Sequence, residues 1–206
     1  MDLYNLENNP YSANYPYMVI DKLKDIKSDL FFGQSYKKML NKRDRLLSNS
    51  ERADLSKKMA DYYIGYACSP IEIRIHDSKG LTTGLVNGDI HSEIPDSEYY
   101  NEAFLILNPD NDLSYEIVGT KDQVYGLTLS SVKNGAITKF TAADIPTSTG
   151  AIHKYAVDWG ILSQGGQGVT IQIDADGDGI FEQNITSDSE FTQEEYNAIK
   201  ATDAES

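Results

Sequence analysis

From Pro16 to about Tyr66 the apolar residues recur at helical spacing. Met18, Ile20, Leu23, Ile26, Leu30 and Phe31 form one stripe, and Gly33 is placed to end it. Tyr36, Met39, Leu40, Leu46 and Leu47 form a second, crossed by the basic run Lys42-Arg43-Asp44-Arg45, which reads as a solvated face. Ser48-Asn49-Ser50-Glu51 fits a capping box, after which Ala53 to Tyr66 reads as a third helix. Residues 1–15, rich in Asn and Tyr and containing Pro10, read as an arm or linker.

From Pro70 onward the period is two. Ile71-Glu72-Ile73-Arg74-Ile75-His76 alternates cleanly. Further strands are expected at Ala103–Leu107, Tyr115–Val118, Val124–Ser130, Ala136–Thr141, Ile152–Trp159, Val169–Asp174 and Ile180–Ile185. Turn signals separate them, among them Asn87-Gly88, Asn108-Pro109-Asp110-Asn111 and Lys133-Asn134-Gly135. The expected fold is mainly β: an antiparallel sandwich, Ig-like or jelly-roll-like, over residues 67–206, preceded by a helical segment of about three helices over 16–66. Thr192-Gln193-Glu194-Glu195 looks like a further helix cap, so a short C-terminal helix should follow.

One stretch carries distinctive chemistry. Asp174-Ala175-Asp176-Gly177-Asp178-Gly179-Ile180-Phe181-Glu182 sets three carboxylates at alternate positions and a fourth four residues after the third. Ca²⁺ takes six to eight oxygens at about 2.3–2.6 Å. Asp174, Asp176 and Asp178 can converge on one ion, the Ile180 carbonyl can join them, and Glu182 falls at position 9 of such a loop. An EF-hand also needs a bidentate Glu at position 12, and that position is Ile185. The flanks are β-branched, so two strands are expected around the loop. In this it resembles the β-hairpin calcium loops of integrin-type propeller blades. The plainer alternative is a tight Asp-Gly hairpin turn without metal. Asp188 and Glu190, just beyond the second strand, are candidates to complete the shell.

Charge and composition narrow the function classes. Hydrophobic residues make up 40% and charged residues 24%, as in a globular protein. Residues 1–66 hold 11 Lys+Arg against 9 Asp+Glu; residues 67–206 hold 7 against 23, a net of −16. An acidic surface repels nucleic acid and anionic membranes, so no nucleic-acid partner is expected. No apolar run approaches the roughly 20 residues of a membrane span, and the first residues lack the pattern of a signal peptide. The chain is expected to be either cytoplasmic or an excised part of a longer exported protein.

Enzyme signatures are sparse. The sequence contains no Gly-x-Ser-x-Gly elbow, His-Glu-x-x-His, glycine-rich phosphate loop or paired-cysteine motif. His76, His91 and His153 are isolated and expected to face outward from strands, and Cys68 is expected to be a buried structural thiol. No catalytic residue is assigned. A glycosidase needs only two carboxylates, which keeps a hydrolase as a remote alternative. Tyr99, Tyr100 and Trp159 are candidate ligand-contact aromatics for a glycan, against the alternative that they pack the core. Asn184-Ile185-Thr186 is a glycosylation acceptor sequence.

Taken in order, Cys68-Ser69-Pro70-Ile71-Glu72, Gly84-Leu85-Val86-Asn87-Gly88, Ile94-Pro95, Tyr115-Glu116-Ile117-Val118-Gly119-Thr120, Tyr125-Gly126-Leu127, Asp144-Ile145-Pro146-Thr147, Ile152-His153-Lys154-Tyr155, Asp158-Trp159, the acidic loop and Thr186-Ser187-Asp188-Ser189-Glu190 span about 130 residues. Together they resemble the C-terminal β-sandwich accessory modules of secreted archaeal and bacterial proteins, which often follow a lipase-like α/β-hydrolase or a protease domain. The resemblance implies a non-catalytic accessory module appended to an extracellular or cell-surface protein, with an upstream enzyme domain in a longer parent. Ca²⁺ is the cofactor expected from the acidic loop itself, and the protein or glycan partner is unspecified. The alternative is a carbohydrate-binding module that targets an attached hydrolase.

Overall fold

A computed structural model of the chain describes residues 61–203, apart from 69, 101, 109–112 and 135. The helices expected over 16–60 lie outside the described residues.

Among the described residues, thirteen strands form two stacked sheets. The six-stranded sheet runs β13(Glu190–Thr192)-β9(Ala136–Thr147)-β8(Gln123–Lys133)-β1(Asp61–Cys68)-β6(Ala103–Leu107)-β5(Ser97–Tyr100). The seven-stranded sheet runs β12(Gln183–Ser187)-β11(Val169–Asp174)-β10(Ile152–Val157)-β7(Ser114–Gly119)-β2(Ile71–His76)-β3(Thr82–Val86)-β4(Asp89–Ser92). The pairings are antiparallel except for β13 on β9. This is more strands than the seven to nine of an Ig domain.

The third expected helix is corrected: Asp61–Cys68 is a strand, and it lies inside the six-stranded sheet between β6 and β8. The misreading has a physical cause. Tyr63 and Ala67 face the core between the sheets, while Tyr62 and Ile64 face the other side and are also packed against apolar neighbours. A strand apolar on both faces shows no alternation, and its run can be taken for a helical stripe. Tyr and Ile at these positions favour a strand once neighbours exist. Among the described residues the helices are two and short, α1(Trp159–Leu162) and α2(Gln193–Asp203), both in the C-terminal part.

The core is built from the inward positions of both sheets. Ile73, Ile75, Ile117, Tyr155, Ile171 and Ile173 from one sheet meet Phe104, Ile106, Leu127, Leu129 and Phe140 from the other, all essentially solvent-free. Trp159 and Leu162 of α1 and Tyr196 of α2 plug the same core. Asp158 caps α1 by accepting from the Ile161 amide at 3.0 Å. Thr192 and Glu195 cap α2 reciprocally: the Glu195 carboxylate accepts from the Thr192 amide at 2.7 Å, and Thr192 Oγ1 accepts from the Glu195 amide at 3.3 Å.

Candidate metal centre

The acidic loop joins β11 to β12 at the edge of the seven-stranded sheet. Along β11, Thr170 and Gln172 are exposed, and Asp174 shares their side of the strand. Asp174 is nevertheless fully buried, because its own loop folds back over it. A buried carboxylate needs donors, and the loop's backbone supplies them. Asp174 Oδ1 accepts from the Gly177 amide at 2.7 Å and Oδ2 from the Gly179 amide at 2.9 Å. Both glycines have positive φ, +76° and +91°, the region where a side chain would be strained. Asp176 Oδ1 accepts from the Asp178 amide at 3.2 Å, Asp178 Oδ1 from the Ile180 amide at 2.8 Å, and Glu182 Oε2 from the Ala175 amide at 3.0 Å.

These bonds hold the four carboxylates in a ring. One oxygen from each of Asp174, Asp176, Asp178 and Glu182 lies within 4.8 Å of every other. Two oxygens on opposite sides of a Ca²⁺ ion at about 2.4 Å are about 4.8 Å apart, so the cluster is compact enough to coordinate one divalent cation. Among the described residues it is the one His/Cys/Asp/Glu group with this geometry. Like charges about 4 Å apart repel by about 1 kcal/mol in water and about 4 kcal/mol at an effective dielectric constant of 20. The amides offset part of that repulsion, and a cation would remove it. Ile180 has its side chain in solvent and its amide on Asp178; its carbonyl remains the expected backbone ligand.

Residues outside the motif fix the loop in place. Ser148, in the turn between β9 and β10, donates its hydroxyl to the Ala175 carbonyl at 3.0 Å. A Cβ on Gly177 would come within 2.5 Å of the Gly150 carbonyl oxygen, so the backbones of the two turns are in close contact. Phe181 lies under Lys154 on the sheet face, with Nζ 4.7 Å from the ring centroid. Ser148 and Gly150 lie some 25 residues before the motif, and nothing in the linear pattern marks them.

Asp188 and Glu190 do not join the cluster. The five residues of β12 separate them from Glu182, about 16 Å of extended chain. Asp188 Oδ1 instead accepts from the Glu190 amide at 3.0 Å, shaping the bend into β13. The three aromatics form no exposed strip. Tyr99 and Trp159 are 6% and 9% exposed, and only Tyr100 is partly open. Trp159 stacks on Tyr63 with centroids 5.6 Å apart. Burial, with the nearby Glu102 charge, pushes the Tyr99 phenol up to about 12.

His153 and Cys68 also depart from expectation, while His76 and His91 keep the outward side of their strands. His153 faces inward and is 1% exposed; its Nδ1 is 2.8 Å from the Tyr125 hydroxyl, which is 2.5 Å from that of Tyr155. Burial raises both phenols far above their ordinary range. The Tyr196 ring of α2 stacks on His153, so the trio ties β8, β10 and α2 together deep in the core. Its members are 28 and 30 residues apart, a spacing that carries no sequence signal. His76 Nδ1 lies 3.0 Å from Thr82 Oγ1, and burial lowers its pKa; His91 Nδ1 lies 3.5 Å from Glu93 Oε1. Cys68 is exposed rather than buried. Partial desolvation and the Glu102 charge raise its thiol pKa, which disfavours the nucleophilic thiolate. Asn184 and Thr186 both face solvent on edge strand β12. No helix among the described residues is long and apolar enough to cross a membrane.

No protein family, curated protein or solved structure matches this chain.

Proposed function

We propose that this chain is a non-catalytic accessory module of an extracellular or cell-surface protein, and that its β11–β12 loop binds Ca²⁺ as a structural staple. The observation that carries the reading is the ring of four carboxylates within 4.8 Å, held by backbone amides. Oxygen-only ligation by flexible carboxylates suits a hard cation, and the spacing suits the longer metal–oxygen distance of Ca²⁺. Extracellular calcium modules commonly bind at about 10⁻⁴–10⁻³ M, concentrations found outside cells. The loop bridges the β10–β11–β12 edge and the β9–β10 turn, so filling it would lock strands together without moving helices. A carbohydrate-binding role draws no support from Tyr99 and Trp159, which are buried.

Thermal unfolding with calcium, then with chelator, tests the reading. At a hundredfold excess over the dissociation constant the ion should add about 2.7 kcal/mol, and the midpoint should rise accordingly. Asp176→Ala and Asp178→Ala should each abolish that rise. Their metal-free midpoints should stay close to the native one, because the lost amide hydrogen bond and the relieved repulsion act in opposite directions. An unchanged midpoint together with a flat calorimetric titration would sink the calcium reading.

A further inference from the structure

The outer face of the six-stranded sheet carries a second apolar cluster, separate from the core between the sheets. Tyr62, Leu107 and Val132 are buried there, with Ile64 and Leu105 packed against them. The strand register places Leu107, Tyr62, Val132 and Ile137 in one row across β6, β1, β8 and β9. Tyr62 and Val132 are only 5% and 2% exposed, and that burial arises within a single chain. Among the described residues no element accounts for it. Both helices are anchored through Trp159, Leu162 and Tyr196 in the core between the sheets.

We propose that this face is a docking surface for the part of this same chain that precedes β1, residues 16–60. That segment reaches the sheet at Asp61, next to Tyr62 in the apolar row. It brings apolar positions of its own, including Leu40, Leu46, Leu47, Leu55 and Met59. Its charge is also complementary. Residues 16–60 hold 11 Lys+Arg and 6 Asp+Glu, a net of +5; residues 61–206 hold 7 and 24, a net of −17. Apolar burial supplies the adhesion, and the opposite charges favour the association. The segment is therefore a layer of the sandwich and not a tether to something else. This inference is independent of the metal.

Limited trypsin digestion of the full chain tests it, since Lys42, Arg43, Arg45, Arg52, Lys57 and Lys58 all lie in the segment. Docking should shield these bonds, so that cleavage tracks the small undocked population. Leu105→Asp puts a carboxylate on the docking face, pointing away from the core. It should speed cleavage between Lys42 and Lys58 at least about tenfold while the fluorescence of Trp159 stays native. Ile137→Asp, at the partly exposed end of the row, is the milder variant if Leu105→Asp disturbs Trp159. Equal rates in wild type and a natively folded variant overturn the proposal. So does a wild-type rate equal to that of the urea-unfolded chain. Protection that vanishes on dilution also overturns it, because the occupant would then be a second copy.

Discussion

The two sheets turn opposite chemistries outward. On the seven-stranded sheet the register aligns Arg74, Glu116, Lys154, Gln172 and Asn184 in a row across β2, β7, β10, β11 and β12. Arg74 bridges Glu116 at 3.2 Å and Glu72 at 2.9 Å, and Lys154 lies 3.7 Å from Glu116. On the six-stranded sheet the corresponding kind of row is Leu107, Tyr62, Val132 and Ile137. Both rows occupy positions that alternate with the core, so both obey the same period of two. The difference shows that strand alternation defines two sides and says nothing about which side is wet. A charged ladder marks a face that meets water; a buried apolar row marks a face with another layer on it.

The sharpest way to break this contrast is one substitution made on both faces. Val132→Asp places a carboxylate at a 2%-exposed site and should cost on the order of 3 kcal/mol or more. Asn184→Asp, exposed on the polar face, should stay within about 0.5 kcal/mol. Urea unfolding followed by Trp159 fluorescence measures both. Similar losses would mean that the two outer faces are equally wet.

How far the sequence discloses this arrangement depends on range. The acidic loop is legible because its ligands and the glycines that shape it are near neighbours in the chain, and Ile185 at position 12 together with the β-branched flanks separates it from an EF-hand. The sandwich is legible wherever one face is wet, as in Ile71–His76. It fails at β1, where both faces are apolar and alternation disappears. β3 and the edge strands β4 and β5 are four or five residues long and too polar to stand out. The inward turn of His153 follows from its partners Tyr125 and Tyr155, and the outward turn of Cys68 from its register in β1. Both are set by pairing between distant segments. Asp188 and Glu190 look adjacent to the loop only while the length of β12 is unknown.

A second contrast lies within the loop on the polar sheet's edge. Gly177 and Gly179 both have positive φ, but a Cβ on Gly177 meets the Gly150 carbonyl while one on Gly179 meets nothing within 4 Å. Gly177→Ala should cost on the order of 2 kcal/mol by combining backbone strain with a steric clash, and should abolish the calcium response by lifting the loop off its neighbour. Gly179→Ala should cost about 1 kcal/mol, the conformational part alone, and keep a calcium-dependent rise in melting point. Identical behaviour of the two variants would remove the β9–β10 turn from the account of the loop.

Acid should distinguish the faces again. Burial acts to raise the Glu72 carboxyl, but hydrogen bonds from Arg74 and from the Asn87 and Gly88 amides, with the Arg74 charge, outweigh it and hold the pKa below its ordinary value. A folded-state pKa below the unfolded one gives stability that is full above the unfolded value, about 4.5, and drains away as pH falls through the folded value. Glu72→Gln should therefore flatten part of the acid limb of a stability–pH curve below about pH 4.5. Ile137→Ala, which removes no titrating group, should lower the curve and leave its slope unchanged.

The smallest effect compares one hairpin from each sheet. Between β3 and β4 the turn is Asn87-Gly88, with φ of +53° and +85°, the residue pair that a two-residue hairpin turn favours. Between β5 and β6 the equivalent second position is Glu102, with φ of +66°. A side chain there is strained by about 1 kcal/mol relative to glycine, and the register of Tyr100 with Ala103 leaves the turn no room to relax. Glu102→Gly should recover part of that strain, about 0.5 kcal/mol once the greater freedom of glycine in the unfolded chain is subtracted. It also removes the charge that helps raise the Cys68 thiol and the Tyr99 phenol, so both should titrate lower in the variant. A stability gain without those two shifts would confine the effect to the backbone; the shifts without a gain would show that the turn is not strained.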